Sequence, residues 1–144
     1  MIAQTYLGIT DADRRYWDAY ARTLADHLRL RDWNIAVSHG TASGETYAQI
    51  WLQKDHREGI IYLSPAWSSL DPAFQRSCLV HELLHCHLHD LELLVAEFLQ
   101  RLDGPLKECA EALVHREAER IVGALEDVLA PLLPLPPAAT AETP

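Results

Sequence analysis

Two hydrophobic periods divide the chain. Trp17, Tyr20, Ala21, Leu24 and Leu28 recur every three or four positions, behind a Thr10-Asp11-Ala12-Asp13 start of capping-box type. This predicts an amphipathic helix over residues 11–30. The period then drops to two. Trp33 to Ser38 reads as a short strand, His39 to Gly44 as a loop, and Thr46 to Lys54 as a second strand with Ala48, Ile50 and Leu52 on one face. Tyr47 and Trp51 fall on the other face, where they cover a second contact or mark a groove. Lys54 to Gly59 is a turn, and Gly59 to Ser64 a third strand carrying Ile60-Ile61-Tyr62-Leu63. Strands joined by short polar turns predict an antiparallel meander.

The helical period returns after a connector, Ser64 to Leu70. Asp71 is placed to cap a helix and Pro72 to open it, where the missing N–H costs nothing. The helix is predicted from about 72 to 89. Residues 90–102 carry Leu91, Leu94, Val95, Phe98 and Leu102, as a short helix or an extension of the one before. Asp103-Gly104-Pro105 is a break. A last helix runs from about 106 to 130, with an apolar stripe of Ala118, Val122, Leu125, Leu129 and Leu132. The expected fold class is α+β: an N-terminal helix, a three-stranded antiparallel sheet and two long helices in a single domain, 1–133. A Pro/Ala-rich tail, 134–144, follows; it is expected to be disordered from about Ala138, with Leu132, Leu133 and Leu135 able to pack back.

Composition narrows the function. With 49% apolar and 23% charged residues the chain reads as soluble and globular. A formal charge of −9 excludes a phosphate-binding surface, which needs clustered Lys and Arg, so no nucleic-acid partner is expected. No stretch reads as an export signal or a membrane span, so the expected location is cytoplasmic, with no membrane partner. Cys78, Cys86 and Cys109 are odd in number and unpaired in spacing. They are expected as reduced thiols, Cys86 as a buried residue or, alternatively, a metal ligand.

The chemistry concentrates in His81-Glu82-Leu83-Leu84-His85-Cys86-His87-Leu88-His89. The first five residues fit HExxH, the zinc-peptidase signature. On a helix, His81 and His85 project from one face and can meet one zinc ion. Glu82 lies about 100° round the helix, able to reach a water on the metal without taking a ligand position. Leu79, Val80, Leu83, Leu84 and Leu88 imply that this helix is buried. A catalytic zinc needs a third protein ligand, and the last helix offers Glu108, Glu111, His115, Glu117 and Glu119. Glu117 and Glu119 flank Ala118 about 100° to either side, and periodicity does not choose between them.

His81 to His89 resembles the HELGHxxxH stretch of the ImmA/IrrE family of small zinc metallopeptidases, of gluzincin type, in its short actinobacterial and phage-borne members. That family has a downstream Glu-x-x-Ala-x-x-Phe-Ala helix whose Glu is the third ligand. Here Glu119-Arg120-Ile121-Val122-Gly123-Ala124-Leu125-Glu126 is similar at Glu119, Val122 and Leu125, with Glu126 in the place of the final Ala. The resemblance implies a minimal zincin-like domain with zinc on His81, His85 and Glu119, and Glu82 as the general base. It also implies selective cleavage of a protein or peptide partner, often a separate transcriptional regulator. His89 matches a histidine frequent in the family, placed to bond a ligand or touch substrate; His87 is expected to be exposed. An oxyanion donor would come from His115 or Tyr62, and Ile60 to Leu63 would be the edge strand that aligns substrate. The alternatives are a non-enzymatic zincin-fold binding module and a structural metal or metal-free protein.

Overall fold

The computed structural model describes residues 9–53 and 55–138. Helix α1 spans Asp11–His27, strand β1 Asn34–Thr41, β2 Ala48–Gln53 and β3 Glu58–Leu63. After a short 3-10 turn, Trp67–Ser69, come α2, Pro72–Leu99, and α3, Gly104–Leu129. The architecture is α+β.

Helix α1 starts as its sequence predicts: the Thr10 hydroxyl oxygen accepts from the Asp13 N–H at 3.2 Å. It stops earlier than the apolar spacing suggests. Leu30 N–H donates to Ala25 C=O and Arg29 N–H to Asp26 C=O, the paired bonds of a Schellman ending. The turn needs a left-handed residue, and Arg29 supplies it at φ 63°, where glycine would have advertised the stop. Leu28 and Leu30 are buried beyond the helix.

The sheet corrects the expected antiparallel meander. Its order is β1-β3-β2, with β3 antiparallel to β2 but parallel to β1. A parallel pair cannot be closed by a tight turn; here the intervening β2 lies on the far side of β3 and carries the connection. The cause lies in β3. Both of its edges are paired, with Asn34 to Val37 of β1 on one side and Ala48 to Gln53 of β2 on the other. Ile60 to Leu63 is therefore central, not the substrate-aligning edge. Strand β1 also runs on through His39 to Thr41, residues expected in a loop.

Each outer sheet edge gives one N–H to a helix carboxylate. Asp18 of α1 accepts the Val37 N–H on β1 at 3.0 Å, and Glu82 of α2 accepts the Ile50 N–H on β2 at 2.9 Å. An exposed row of strand N–H groups invites pairing with another chain, and a buried carboxylate blunts it.

Helix α2 is one continuous rod, about 42 Å long at 1.5 Å per residue, so 90–99 extends the helix that carries the histidine motif. The Asp71 carboxylate accepts from Ala73 and Phe74 N–H at 3.0 and 3.3 Å, and Pro72 fills the first turn. Leu79, Val80, Leu83 and Leu84 are buried against the sheet and α1. The break before α3 falls at Gly104, whose φ of 61° suits glycine, followed by Pro105. Helix α3 reaches the interior mainly through Ala118 and Val122; Leu125 and Leu132 of the expected stripe are exposed.

Beyond α3 the chain returns to α1. Tyr20 donates to the Pro134 carbonyl at 2.8 Å, Tyr16 donates to the Pro137 carbonyl, and Arg76 donates to the Leu133 carbonyl at 2.9 Å. Leu133 packs on the core, while Leu132 and Leu135 stay exposed. The expected disorder from about Ala138 falls on positions 139–144, outside the described residues. Replacing Asp71 with Ala removes two bonds to the first turn of α2 and should lower unfolding free energy by about 0.5–2 kcal/mol. A urea melt checks this; an unchanged midpoint would show that the cap does not hold the helix start.

Candidate metal centre and active site

The site forms where α2 crosses the edge of β2 and α3 packs along α2. On α2 the buried positions leave His81, Glu82 and His85 on the side facing a cleft of about 720 Å³. The two imidazoles lie one turn apart, ring centroids separated by 5.2 Å. Glu119 enters from α3 beside the buried Ala118. One of its oxygens is 3.2 Å from His81 Nε2 and the other 3.3 Å from His85 Nε2. One donor atom from each residue falls within 4.8 Å of the others. Tetrahedral zinc with bonds of about 2.0–2.1 Å holds its ligand atoms about 3.4 Å apart, so small side-chain movements bring all three onto one ion. His81, His85 and Glu119 can therefore hold a metal ion, and the open cleft leaves room for a fourth ligand.

Geometry separates Glu119 from Glu117. The Glu117 carboxylate is engaged by Arg120 at 2.7 Å and Arg116 at 3.4 Å, which holds it in its ionised form below the usual carboxylate range. Glu111 pairs with Lys107, and Glu108 is exposed. His115 lines the cleft with Glu119. Tyr62, the other expected oxyanion donor, is not among the cleft residues; its ring lies beside Gly40. Cys86 is a buried core residue outside the donor group, and burial pushes its thiol up to about 12.

The remaining histidines divide. His87 is exposed, as expected, with Nε2 2.7 Å from the Leu28 carbonyl oxygen. His89 does not sit at a helix end. It is buried in the middle of α2, edge-on to Trp33 at 5.5 Å, and also borders the cleft. Arg57 fixes this corner: it stacks over Trp33 and bridges Asp32 and Asp90 at 2.8 Å each.

Burial sets the electrostatics. It lowers the His85 pKa, with His81 and His115 adding to the effect and Glu119 opposing it. The neutral imidazole is the form that binds metal. Burial also pushes Glu82 up to about 7; the Ile50 amide and His81 pull the other way, and Glu119 and Glu126 push further. Glu92, on the cleft wall, is raised by burial and by Glu119.

Two features escaped the sequence reading. Glu126, two turns beyond Glu119 on α3, places an oxygen 3.0 Å from His81 Nδ1. Its seven-residue spacing from Glu119 on one helix face was the available signal. The second is β2, whose outer edge borders the cleft through Ala48, Ile50 and Leu52. No family model, curated protein or solved structure matches the chain. No described helix is long and apolar enough to cross a membrane.

A raised carboxyl pKa means the folded protein binds that proton more tightly than the unfolded chain does. Stability is then full below about 4.5 and falls as pH rises towards 7. In metal-free protein, Glu82→Gln keeps an acceptor for Ile50 and removes the charge. The variant should be more stable than the parent by roughly 2–3 kcal/mol at pH 8, with the gain gone near pH 4.5. Denaturant melts across that range check it; a gain independent of pH would refute the assigned cause.

Proposed function

We propose that the chain is a zinc-dependent metallopeptidase of zincin-like design that hydrolyses a peptide bond in a specific protein partner. The observation that carries the reading is the convergence of His81, His85 and Glu119 with Glu82 in the adjoining position on α2. The HExxH string and the Glu119 helix also carry the resemblance to the ImmA/IrrE family. Zinc is the natural ion for two imidazoles and one carboxylate with an open position. Bound there, it supplies Lewis acidity and lowers the pKa of a coordinated water towards about 7.

The chain's own residues do the rest. Glu82 takes a proton at its carboxylate and returns it to the leaving amine. Strand β2 replaces Ile60 to Leu63 as the substrate-aligning edge. Ile50 directs its N–H away from β3, and alternation directs the Ala48 and Leu52 backbone groups the same way. An extended peptide can pair with them and lie across the donor group. His115 stands on the opposite wall as a hydrogen-bond donor to the developing oxyanion. A separate transcriptional regulator in the cytoplasm fits as the partner, since the chain's acidic balance leaves DNA binding to another protein.

A second reading has its own observation. Glu82 accepts from the β2 edge as Asp18 accepts from the β1 edge, and among the described residues no group of metal-ligating side chains lies at Asp18. In that reading the fold and metal are kept for docking, and Glu82 is a strut. The Glu82→Gln variant, loaded with zinc and incubated with denatured whole-cell protein, separates the two. For the peptidase, labelling of new amino termini should show cleavage by the parent and a loss of about 10²–10⁴-fold in the variant, with one zinc per chain in both. Equal yields of new termini, or none from the parent, would contradict it.

A further inference from the structure

We propose that Glu126 is the positioning residue of the metal centre, fixing the ring of His81 so that Nε2 faces the ion. The inference rests on the reading of His81, His85 and Glu119 as a zinc site. An imidazole has two nitrogens, and a metal on one requires the proton on the other. In His81 these nitrogens meet different groups: Nε2 lies 3.2 Å from Glu119 and Nδ1 lies 3.0 Å from Glu126. A carboxylate accepts only, so at Nδ1 it selects the tautomer that leaves a lone pair on Nε2. Carboxylates in this position orient metal-bound histidines and raise their basicity.

The placement gives the contact a purpose that helix packing does not. Glu126 is only 23% exposed, and among the described residues its one ionic contact is His81. Among the described residues no Lys or Arg pairs with it, so without His81 its burial would be uncompensated. Glu119 and Glu126 stand two turns apart on one helix, so α3 grips the ring from both ends. Two carboxylates around two neutral imidazoles also present a charge of −2 to a divalent cation. His85 has no equivalent partner among the described hydrogen bonds, which makes His81 the more firmly held ligand.

The test is zinc affinity, measured by competition with a chromophoric chelator, for the parent, Glu126→Gln and Glu126→Ala. Melts of the metal-free forms and imidazole N–H spectra of the zinc-loaded forms accompany it. Affinity should fall about 10–100-fold for Glu126→Ala and less for Glu126→Gln, which keeps an acceptor. A slowly exchanging His81 Nδ1–H signal should be present in the parent and lost in Glu126→Ala. If the alanine variant fails to fold, Glu126→Leu, which fills the space without an acceptor, decides by the same two readouts. A variant that melts earlier but keeps zinc affinity within about twofold and retains the signal would reduce Glu126 to a helix contact. Zinc binding by the parent with no change in the variants overturns this inference alone. A parent that binds no zinc overturns the underlying site as well.

Discussion

The structure turns on the meeting of α2 and α3 at one carboxylate. His81 and His85 need only a helix to stand together, because a four-residue step returns to the same face. Glu119 comes from another element and depends on tertiary packing. Val122, with no exposed surface, and Ala118 seat α3 against the interior, and the Glu119 carboxylate then falls between the two Nε2 atoms. Were α3 to turn by one residue, about 100°, a different side chain would face the histidines.

The sheet matters to the site through its edge. With β3 in the centre, β2 is left beside α2, and its outward N–H groups look into the cleft. The group that accepts from Ile50 on this edge is Glu82, which lines the same cleft as His81, His85 and Glu119. One side chain thus links the sheet, α2 and the electrostatics of the cleft, and burial raises its pKa.

Local signals were legible and non-local ones were not. Thr10, Asp71-Pro72 and the Gly104-Pro105 break act within a turn of themselves, so the helix starts and the major break could be read directly. The HExxH pair follows from helix geometry alone. Strand order does not: β1 pairs with β3 because both put apolar side chains into the same core, and short turns pointed to the wrong neighbour. At the site, periodicity left Glu117 and Glu119 equivalent and only the family resemblance favoured Glu119; in the structure the arginines around Glu117 and the histidines before Glu119 separate them. Glu126 read as a departure from a motif because its partner, His81, lies on another helix.

The central claim is a three-ligand centre with an open position, and X-ray absorption at the zinc edge tests it most directly. The account predicts one zinc per chain, two imidazole nitrogens and oxygen ligands at about 2.0–2.2 Å, including solvent, and no sulfur. A sulfur shell near about 2.3 Å, a site closed by four protein ligands, or a chain that takes up no zinc would contradict it.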